Sequence, residues 1–260
     1  MFVPKTERLK ILAKKFPERI FELEKIFEGS VNIYIDYANV RPWSEKLGWH
    51  VHLKRLKQFL DSFDNIRSIK IYKGSLPGDE HSEEEVRDIV RFGYDLKTKP
   101  VKKMKHSIDV SSISLSSPDL LKQFTRKCLL DKYTIENIEY LNARFKEMNG
   151  SGIYYIEDLK CNFDVEIGRD MLVDYYKSPV DTYVLWSGDS DFVDPIVQLL
   201  DDNKNVLLFA TARKVSSELN ALQYRKNDAV ESDRSDKRGL FIFDIKKIKN
   251  FVCWPREMSV

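Results

Sequence analysis

The chain of 260 residues has few of the side chains that form disulfides or zinc sites. Its cysteines are Cys128, Cys161 and Cys253, which are odd in number, far apart and without a C-x-x-C pair, and it has only 4 histidines. Disulfide frameworks and structural zinc sites need paired or clustered ligands. We therefore expect thiols rather than disulfides, and a reducing, cytoplasmic location. His50 and His52 have no ligand partner at a suitable spacing, so we interpret them as structural or solvent-facing.

Long hydrophobic runs and an excess of charge are also missing. No apolar run reaches the roughly 18 residues that a membrane span needs, and residues 1–27 mix both charges in a way that a secretory signal does not. The net charge is +2, from 43 basic and 41 acidic residues, so any surface that binds nucleic acid must be local. The hydrophobic content of 42% is enough for one large domain with additions.

What the chain does contain is an alternation of apolar strands with helices. The predicted strands begin at "VNIYID" and continue through 66–75, 94–101, the segment "DTYVLW", 205–212 and 239–245. Strands that are almost continuously apolar and separated by helices are typical of a mostly parallel sheet with both faces covered. The sequence therefore predicts an α/β fold in three layers.

The domain organisation follows from where this alternation breaks. Residues 1–29 predict a peripheral helical extension, with Pro17 interrupting the helix. The α/β domain is expected over 30–250, interrupted at 105–157 by a serine-rich linker and two helices, which together predict an inserted helical hairpin. In that hairpin we predict a first helix that starts at Ser117–Pro118 and a second that stops before Gly150. Residues 251–260 form a tail.

Carboxylates follow two of the predicted strands. Asp36 closes the first strand, while Asp189 and Asp191 follow the fourth, and Asp164 opens the helix that leads into the fourth strand. Functional crevices of open α/β sheets lie past the carboxyl ends of the strands. If the first and fourth strands are neighbours, these side chains converge. A site with only oxygen ligands suits Mg²⁺ or Mn²⁺, and such a site favours metal-assisted phosphodiester hydrolysis.

Three segments carry a resemblance to a known family. They are "YIDYANV", "KCNFDVEIGRDM" and "LWSGDSDFVDPIVQLL". In this order they resemble the NYN (LabA-like) branch of the PIN-like nucleases, over about 31–104 and 158–250. The resemblance implies a PIN-like α/β/α sandwich, a divalent metal as cofactor, and cleavage of single-stranded or structured RNA, with DNA as an alternative substrate. It leaves a homo-oligomer open.

The resemblance also implies roles for individual residues. The implied metal ligands are Asp36, Asp164, Asp189 and Asp191. These four would be catalytic together with Asn39, which would orient Asp36 or contact the scissile phosphate, and with Ser187, which would support the cluster by hydrogen bonding. Asp170 matches a further acid of the family and could support the ligands from behind, or it could lie on a solvated helix face.

A run of lysines is the candidate surface for nucleic acid. The segment "KTKPVKKMKH" carries Lys97, Lys99, Lys102, Lys103 and Lys105 without an acid between them. These lysines either contact a phosphate backbone or protect an edge strand from pairing. Arg41 and Lys160 are predicted to contribute to the same binding. Trp43 either stacks on a base or anchors its loop.

Two helix caps and three function classes complete the predictions. We predict Ser82 and Asp194 as N-caps, the latter because Pro195 follows it. The leading hypothesis is a metal-dependent ribonuclease. The alternative is a non-catalytic RNA-binding or regulatory module with the same fold. A phosphatase or phosphotransferase is a weaker third, because the first strand lacks an Asp-x-Asp motif.

Overall fold

The structure is a computed structural model that describes residues 1–40, 48–125, 130–210, 215–223 and 239–254, without the side chains of Asn39, Val40 and Trp254. The chain divides into two compact units. We call them the main unit, Met1–Pro100 with Cys161–Val260, and the insertion unit, Val101–Lys160. Each unit is described by itself below.

The strands supply the framework of both units. In chain order they are β1 (Val31–Asp36), β2 (His50–Val51), β3 (Ile66–Ser75), β4 (Asp95–Pro100), β5 (Lys102–Ser107), β6 (Tyr155–Lys160), β7 (Thr182–Trp186), β8 (Asn205–Ala210), β9 (Leu240–Asp244) and β10 (Cys253–Trp254). A six-stranded parallel sheet in the order β4-β3-β1-β7-β8-β9 forms the centre of the main unit. The chain winds in opposite directions from β1, so β1 and β7 are adjacent at the switch point where such sheets place their sites.

The helices of the described residues follow in chain order. They are α1 (Glu7–Lys15), α2 (Pro17–Ile26), α3 (Tyr37–Val40), α4 (Leu53–Leu60), α5 (Glu80–Arg91), α6 (Leu121–Phe124), α7 (Ile135–Gly150), α8 (Asp164–Lys177), α9 (Val193–Asp201), α10 (Ser217–Leu222) and α11 (Lys249–Val252), with 3₁₀ turns at Ser190–Phe192 and Ile245–Ile248. Pro17 takes the first position of α2, where its missing N–H costs nothing. None of the helices in these residues has the length and apolar character needed to cross a membrane.

Side chains that alternate along the central strands pack against helices on both faces of the sheet. On β1, Ile33 and Ile35 belong to a core shared with α1, α2, α4 and α11, whereas Tyr34 belongs to a core shared with α8, α9 and α10. On β7, Trp186 lies in the first core and Leu185 in the second. Alternation with both faces covered explains why these strands are apolar throughout. The predicted three-layer α/β/α fold is confirmed.

The insertion unit is not only a pair of helices. Its two ends pair as antiparallel strands, with Lys102 opposite Lys160 and Ser107 opposite Tyr155. A buried side-chain amide stabilises the segment that connects these two strands. The amide of Asn142 donates to the carbonyl of Leu115 at 2.6 Å. The first helix, α6, begins only at Leu121 and not at the predicted Ser117–Pro118, and α7 includes Gly150 instead of stopping before it.

Two predicted helix caps are wrong. Helix α9 begins at Val193, so Asp194 lies inside the first turn, where a carboxylate still interacts favourably with the helix dipole. Helix α5 begins earlier than predicted because Asp79, and not Ser82, is its N-cap; the Asp79 carboxylate accepts from the Ser82 N–H at 2.7 Å.

Candidate metal centre

Three carboxylates meet past the carboxyl ends of the central strands. Asp164 is the first residue of α8, and Asp189 and Asp191 lie in the turn between β7 and α9. One oxygen from each of the three lies within 4.8 Å of the other two. Asp164 and the Asp189–Asp191 turn, which begins 25 positions later in the chain, therefore present oxygen atoms to one small volume.

Asp36 lies beside this group of three. It ends β1, which pairs in parallel with β7 up to Ile35 and Trp186, and its side chain is only 2% exposed. Its negative charge contributes to raising the pKa of Asp164. Asp36 does not belong to the group of described residues whose carboxylate oxygens all lie within 4.8 Å of one another. The four predicted ligands therefore form a group of three close carboxylates with Asp36 beside it.

Local hydrogen bonds shape the turn that carries two of these carboxylates. The hydroxyl of Ser187, which is fully buried, accepts from the N–H of Asp189 at 3.4 Å, and the Asp189 carboxylate accepts from the N–H of Asp191 at 3.4 Å. Phe192, fully buried in the core with α8 and α9, anchors the end of the turn. The pattern Ser-Gly-Asp-Ser-Asp-Phe therefore fixes its own backbone and leaves carboxylate oxygens to face the other acids.

Asp164 has the clearest electrostatic signature in the site. The pKa of its carboxyl is raised to about 6, mainly by burial and also by the negative charges of Asp36, Asp189 and Asp191, against a lowering by Asn162. The side-chain oxygen of Asn162 accepts from the N–H of Asp164 at 2.8 Å and so holds the start of α8. A raised carboxyl pKa means that the ionised form lacks a neutralising partner.

This donor set fits a hard divalent cation. The three close side-chain donors, from Asp164, Asp189 and Asp191, are carboxylate oxygens, which Mg²⁺ and Mn²⁺ prefer. Ligand oxygens that surround one such ion at about 2.0–2.2 Å are separated from each other by no more than about 4.5 Å, so the observed 4.8 Å limit needs only a small closure. A cation would also remove the repulsion that raises the pKa of Asp164.

A cleft of about 730 Å³ opens from the carboxylates along α8 and α9. Asp164 and Asp191 form part of its lining, together with Asp194, Gln198 and Lys99. Asp194 was interpreted from the sequence as a cap, and its place in the cleft was missed. The signal was available, because a residue in the first turn of α9 follows the Asp189–Asp191 turn directly.

The two predicted binding lysines of the main unit are both ion-paired. The ammonium group of Lys99 pairs with the Glu166 carboxylate and lies 4.6 Å from the ring centre of Phe163. Lys97 pairs with Asp95 at 3.1 Å. Lys99, near the end of β4, therefore lines the cleft, but its charge is shared with Glu166.

The other predicted binding residues belong to the insertion unit or lie outside the described residues. Lys102, Lys103, Lys105 and Lys160 belong to the ribbon of β5 and β6 in the insertion unit. Within that ribbon Lys103 pairs with Glu157 at 3.6 Å. Arg41 and Trp43 lie outside the described residues, as does the side chain of Asn39.

Asp170 lies on the side of α8 that faces the central sheet and not on a solvated helix face. It is 8% exposed and accepts from the hydroxyl of Tyr72 on β3 at 2.9 Å and from Arg169 at 2.7 Å. Burial acts to raise the pKa of Asp170, but Arg169 and Tyr72 together hold that pKa below its ordinary value. Asp170 thus fastens the helix that carries Asp164 to the central sheet.

A second carboxylate fastens the same helix one turn later. Asp174 accepts from the hydroxyl of Tyr34 on β1 at 2.6 Å and from the ammonium group of Lys70 on β3 at 2.7 Å. Burial, and then Asp174, raise the pKa of Tyr34 far above its ordinary value, so the phenol stays a hydrogen-bond donor. Nothing in the sequence spacing of these strand tyrosines indicated their carboxylate partners.

Comparison with known proteins finds a family model that matches part of the chain and one structural neighbour. The family model of the NYN domain matches residues 115–225. No curated protein matches the chain. The solved structure of a protein of unknown function from Vibrio parahaemolyticus aligns with 86% of this chain and 96% of its own, at 16% identity and a TM-score of 0.48.

Proposed function

We propose that this chain, whose residues 115–225 match the family model of the NYN domain, is a metal-dependent nuclease whose substrate is RNA. NYN domains belong to the PIN-like nuclease superfamily, which uses divalent metals to hydrolyse phosphodiester bonds. The observation that carries the proposal is the group of Asp164, Asp189 and Asp191, with oxygens within 4.8 Å of one another. The LabA-like branch, the preference for RNA and the choice between Mg²⁺ and Mn²⁺ are parts of the proposal.

Each residue of the site has a proposed task. Asp164, Asp189 and Asp191 hold the cation, and Asp36 completes the negative charge beside it. When bound, the cation lowers the pKa of a water molecule and stabilises charge on the attacking and leaving oxygens. Ser187 and Asn162 keep the backbones of Asp189 and Asp164 in place. Asn39 is proposed to contact Asp36 or the scissile phosphate.

Asp170 supports the ligands from a distance. Its carboxylate is occupied by Tyr72 and Arg169, and it holds α8, whose first residue is Asp164. We therefore assign it the support of a ligand-bearing helix and not metal ligation.

Lysines supply the contacts to the phosphate backbone in this proposal. Their partners do not prevent this, because partly exposed ion pairs such as Lys97–Asp95 and Lys99–Glu166 contribute only about 0–1 kcal/mol. A phosphate can replace the carboxylate at that cost. The remaining proposed contacts are Arg41, Lys102, Lys103, Lys105, Lys160 and Trp43.

The test is cleavage of a labelled single-stranded RNA, and of the matching DNA, with Mn²⁺, with Mg²⁺ and with EDTA. We expect cleavage by the parent only with a divalent ion. Asp189→Asn should lose at least about 100-fold in rate, the scale for removing one electrostatic contribution to the transition state. Asp131→Asn, which neutralises an exposed carboxylate of the insertion unit, is the matched control and should cleave like the parent.

Two results would contradict the proposal. Equal cleavage by the parent, Asp189→Asn and Asp36→Asn would mean that the acidic cluster does not carry the activity. RNA binding without cleavage under any divalent ion would favour the non-catalytic RNA-binding module instead. The cytoplasmic location, the domain bounds and a homo-oligomer stay predictions.

A further inference from the structure

The ribbon of β5 and β6 presents one exposed face with a mixed composition. In its antiparallel register Lys103 lies opposite Leu159, Lys105 opposite Glu157, and Ser107 opposite Tyr155. Side chains of successive residues point to opposite faces, so these pairs share one face. We call it the ribbon face. The opposite face carries His106, whose ring lies 6.0 Å from that of Phe124 on α6.

Large apolar side chains on the ribbon face are open to solvent. Tyr155 is 43% exposed and Leu159 is 53% exposed, although strand residues of this kind are usually buried. The neighbouring Tyr154 is 47% exposed. A group of exposed apolar side chains on a soluble unit marks a contact surface.

Positive charge lies among these apolar groups. The ribbon face carries Lys103 and Lys105 against one carboxylate, Glu157, and the opposite face of the ribbon carries Lys102 and Lys160 against Asp158. This local excess contrasts with a nearly balanced chain. It favours an anionic partner and disfavours a second copy of the same ribbon, because two such faces would repel each other.

A cation–π contact holds the aromatic ring of this face in place. The ammonium group of Lys105 lies 4.1 Å from the ring centre of Tyr155. Such a contact orients the ring and keeps a positive charge next to it. A restrained exposed ring beside lysines is the combination that binds unstacked nucleotides, with bases on the ring and phosphates on the ammonium groups.

We propose that the ribbon face binds single-stranded RNA, with a base stacked on Tyr155 and phosphates at Lys103 and Lys105. Single strands fit this surface better than duplexes, because the bases of an A-form duplex are already stacked on each other. The inference deepens the proposed function and rests on it for the identity of the ligand, since it names where and in what form that substrate binds.

The experiment measures binding separately from cleavage. Fluorescence anisotropy is recorded in EDTA with a labelled single-stranded RNA and with its duplex. A length of about 12 nucleotides is enough to cover one such platform. Tyr155→Ala should weaken single-strand binding by about 5- to 100-fold, the effect of losing one base–aromatic stack. Tyr155→Phe keeps the ring and should stay within about threefold of the parent.

Two further variants complete the design. The double variant Lys103→Ala, Lys105→Ala should lower the slope of log affinity against log salt by about 1 to 1.5, as expected for two lost phosphate contacts on a single strand. Tyr176→Ala, at an 86% exposed tyrosine of the main unit, is the matched control and should bind like the parent. Far-UV circular dichroism and urea midpoints verify that every variant is folded.

Several results would overturn the inference. They are unchanged binding by Tyr155→Ala, an equal loss in Tyr155→Phe, duplex binding as tight as single-strand binding, or self-association of the parent that Tyr155→Ala abolishes. Failure of the nuclease proposal is distinguishable from these. If the parent binds RNA through Tyr155 but never cleaves it, only the catalytic assignment fails; if Asp189→Asn abolishes cleavage while Tyr155→Ala binds normally, only the ribbon face fails.

Discussion

Neutralising Asp164 should stabilise the protein when no metal is present. Burial and neighbouring carboxylates raise the pKa of this carboxyl from 3.8 to about 6. A carboxyl group whose pKa is higher in the folded state favours folding when protonated, and this contribution is lost as pH rises from about 4 through about 6. A shift of about two pKa units corresponds to about 3 kcal/mol as an upper limit. Because the side chain is only partly buried, we expect about 1–2 kcal/mol.

Urea unfolding of the parent and of Asp164→Asn in EDTA measures this difference. At pH 7.5 the variant should have the higher free energy of unfolding, by about 1–2 kcal/mol. The difference in free energy of unfolding should close as the pH approaches 4, because position 164 is then uncharged in the folded parent as well as in the variant. Asp131→Asn, at an exposed site, controls for the general effect of replacing a carboxylate by an amide.

Adding the metal should reverse the order. With Mn²⁺ at about 100 times its dissociation constant, the parent should gain about 2.7 kcal/mol, whereas Asp164→Asn, lacking one ligand, should gain much less. A parent that is as stable as the variant in EDTA at pH 7.5 would refute the claim that the site stores electrostatic repulsion. An equal gain of both proteins with Mn²⁺ would refute the role of Asp164 as a ligand.

Two further predictions concern how the site is supported. Tyr72→Phe removes the donor at 2.9 Å from the buried Asp170 and should lower the free energy of unfolding by about 1–3 kcal/mol, measured in urea, whereas Tyr176→Phe at an exposed position should change nothing. Gly29→Ala should destabilise by at least about 1–2 kcal/mol in the same assay, because Gly29 has a φ of +65° and an added Cβ would lie 2.3 Å from the Asp181 carboxylate. A midpoint of Gly29→Ala at or above that of the parent would contradict this reasoning.

Local pattern was enough to predict the central sheet. The runs at β1, β7 and β8 are almost continuously apolar because both faces of a parallel sheet are covered, and that burial leaves a trace in the sequence itself. Carboxylates directly after β1 and β7 could likewise be recognised as candidate ligands, because the ends of parallel strands meet at one edge of the sheet.

The ribbon of the insertion unit could not be predicted in the same way. Every residue of β5 is exposed, so no hydrophobic alternation distinguishes Lys102–Ser107 from a polar loop. Its pairing with β6 joins residues more than 45 positions apart. The lysines were visible in the sequence, but their placement next to Tyr155 depended on this register.

The sequence by itself determined the layered α/β fold, the resemblance to a family and the candidate acids, because burial and motif spacing are properties of short segments. Tertiary structure alone decided where each acid lies and what it contacts. It brought Asp164 to the Asp189–Asp191 turn and left Asp36 beside them. It also engaged Asp170 with Tyr72, 98 residues away in the chain. Distances between side chains on separate elements follow from how helices pack on the sheet, and no local pattern encodes them.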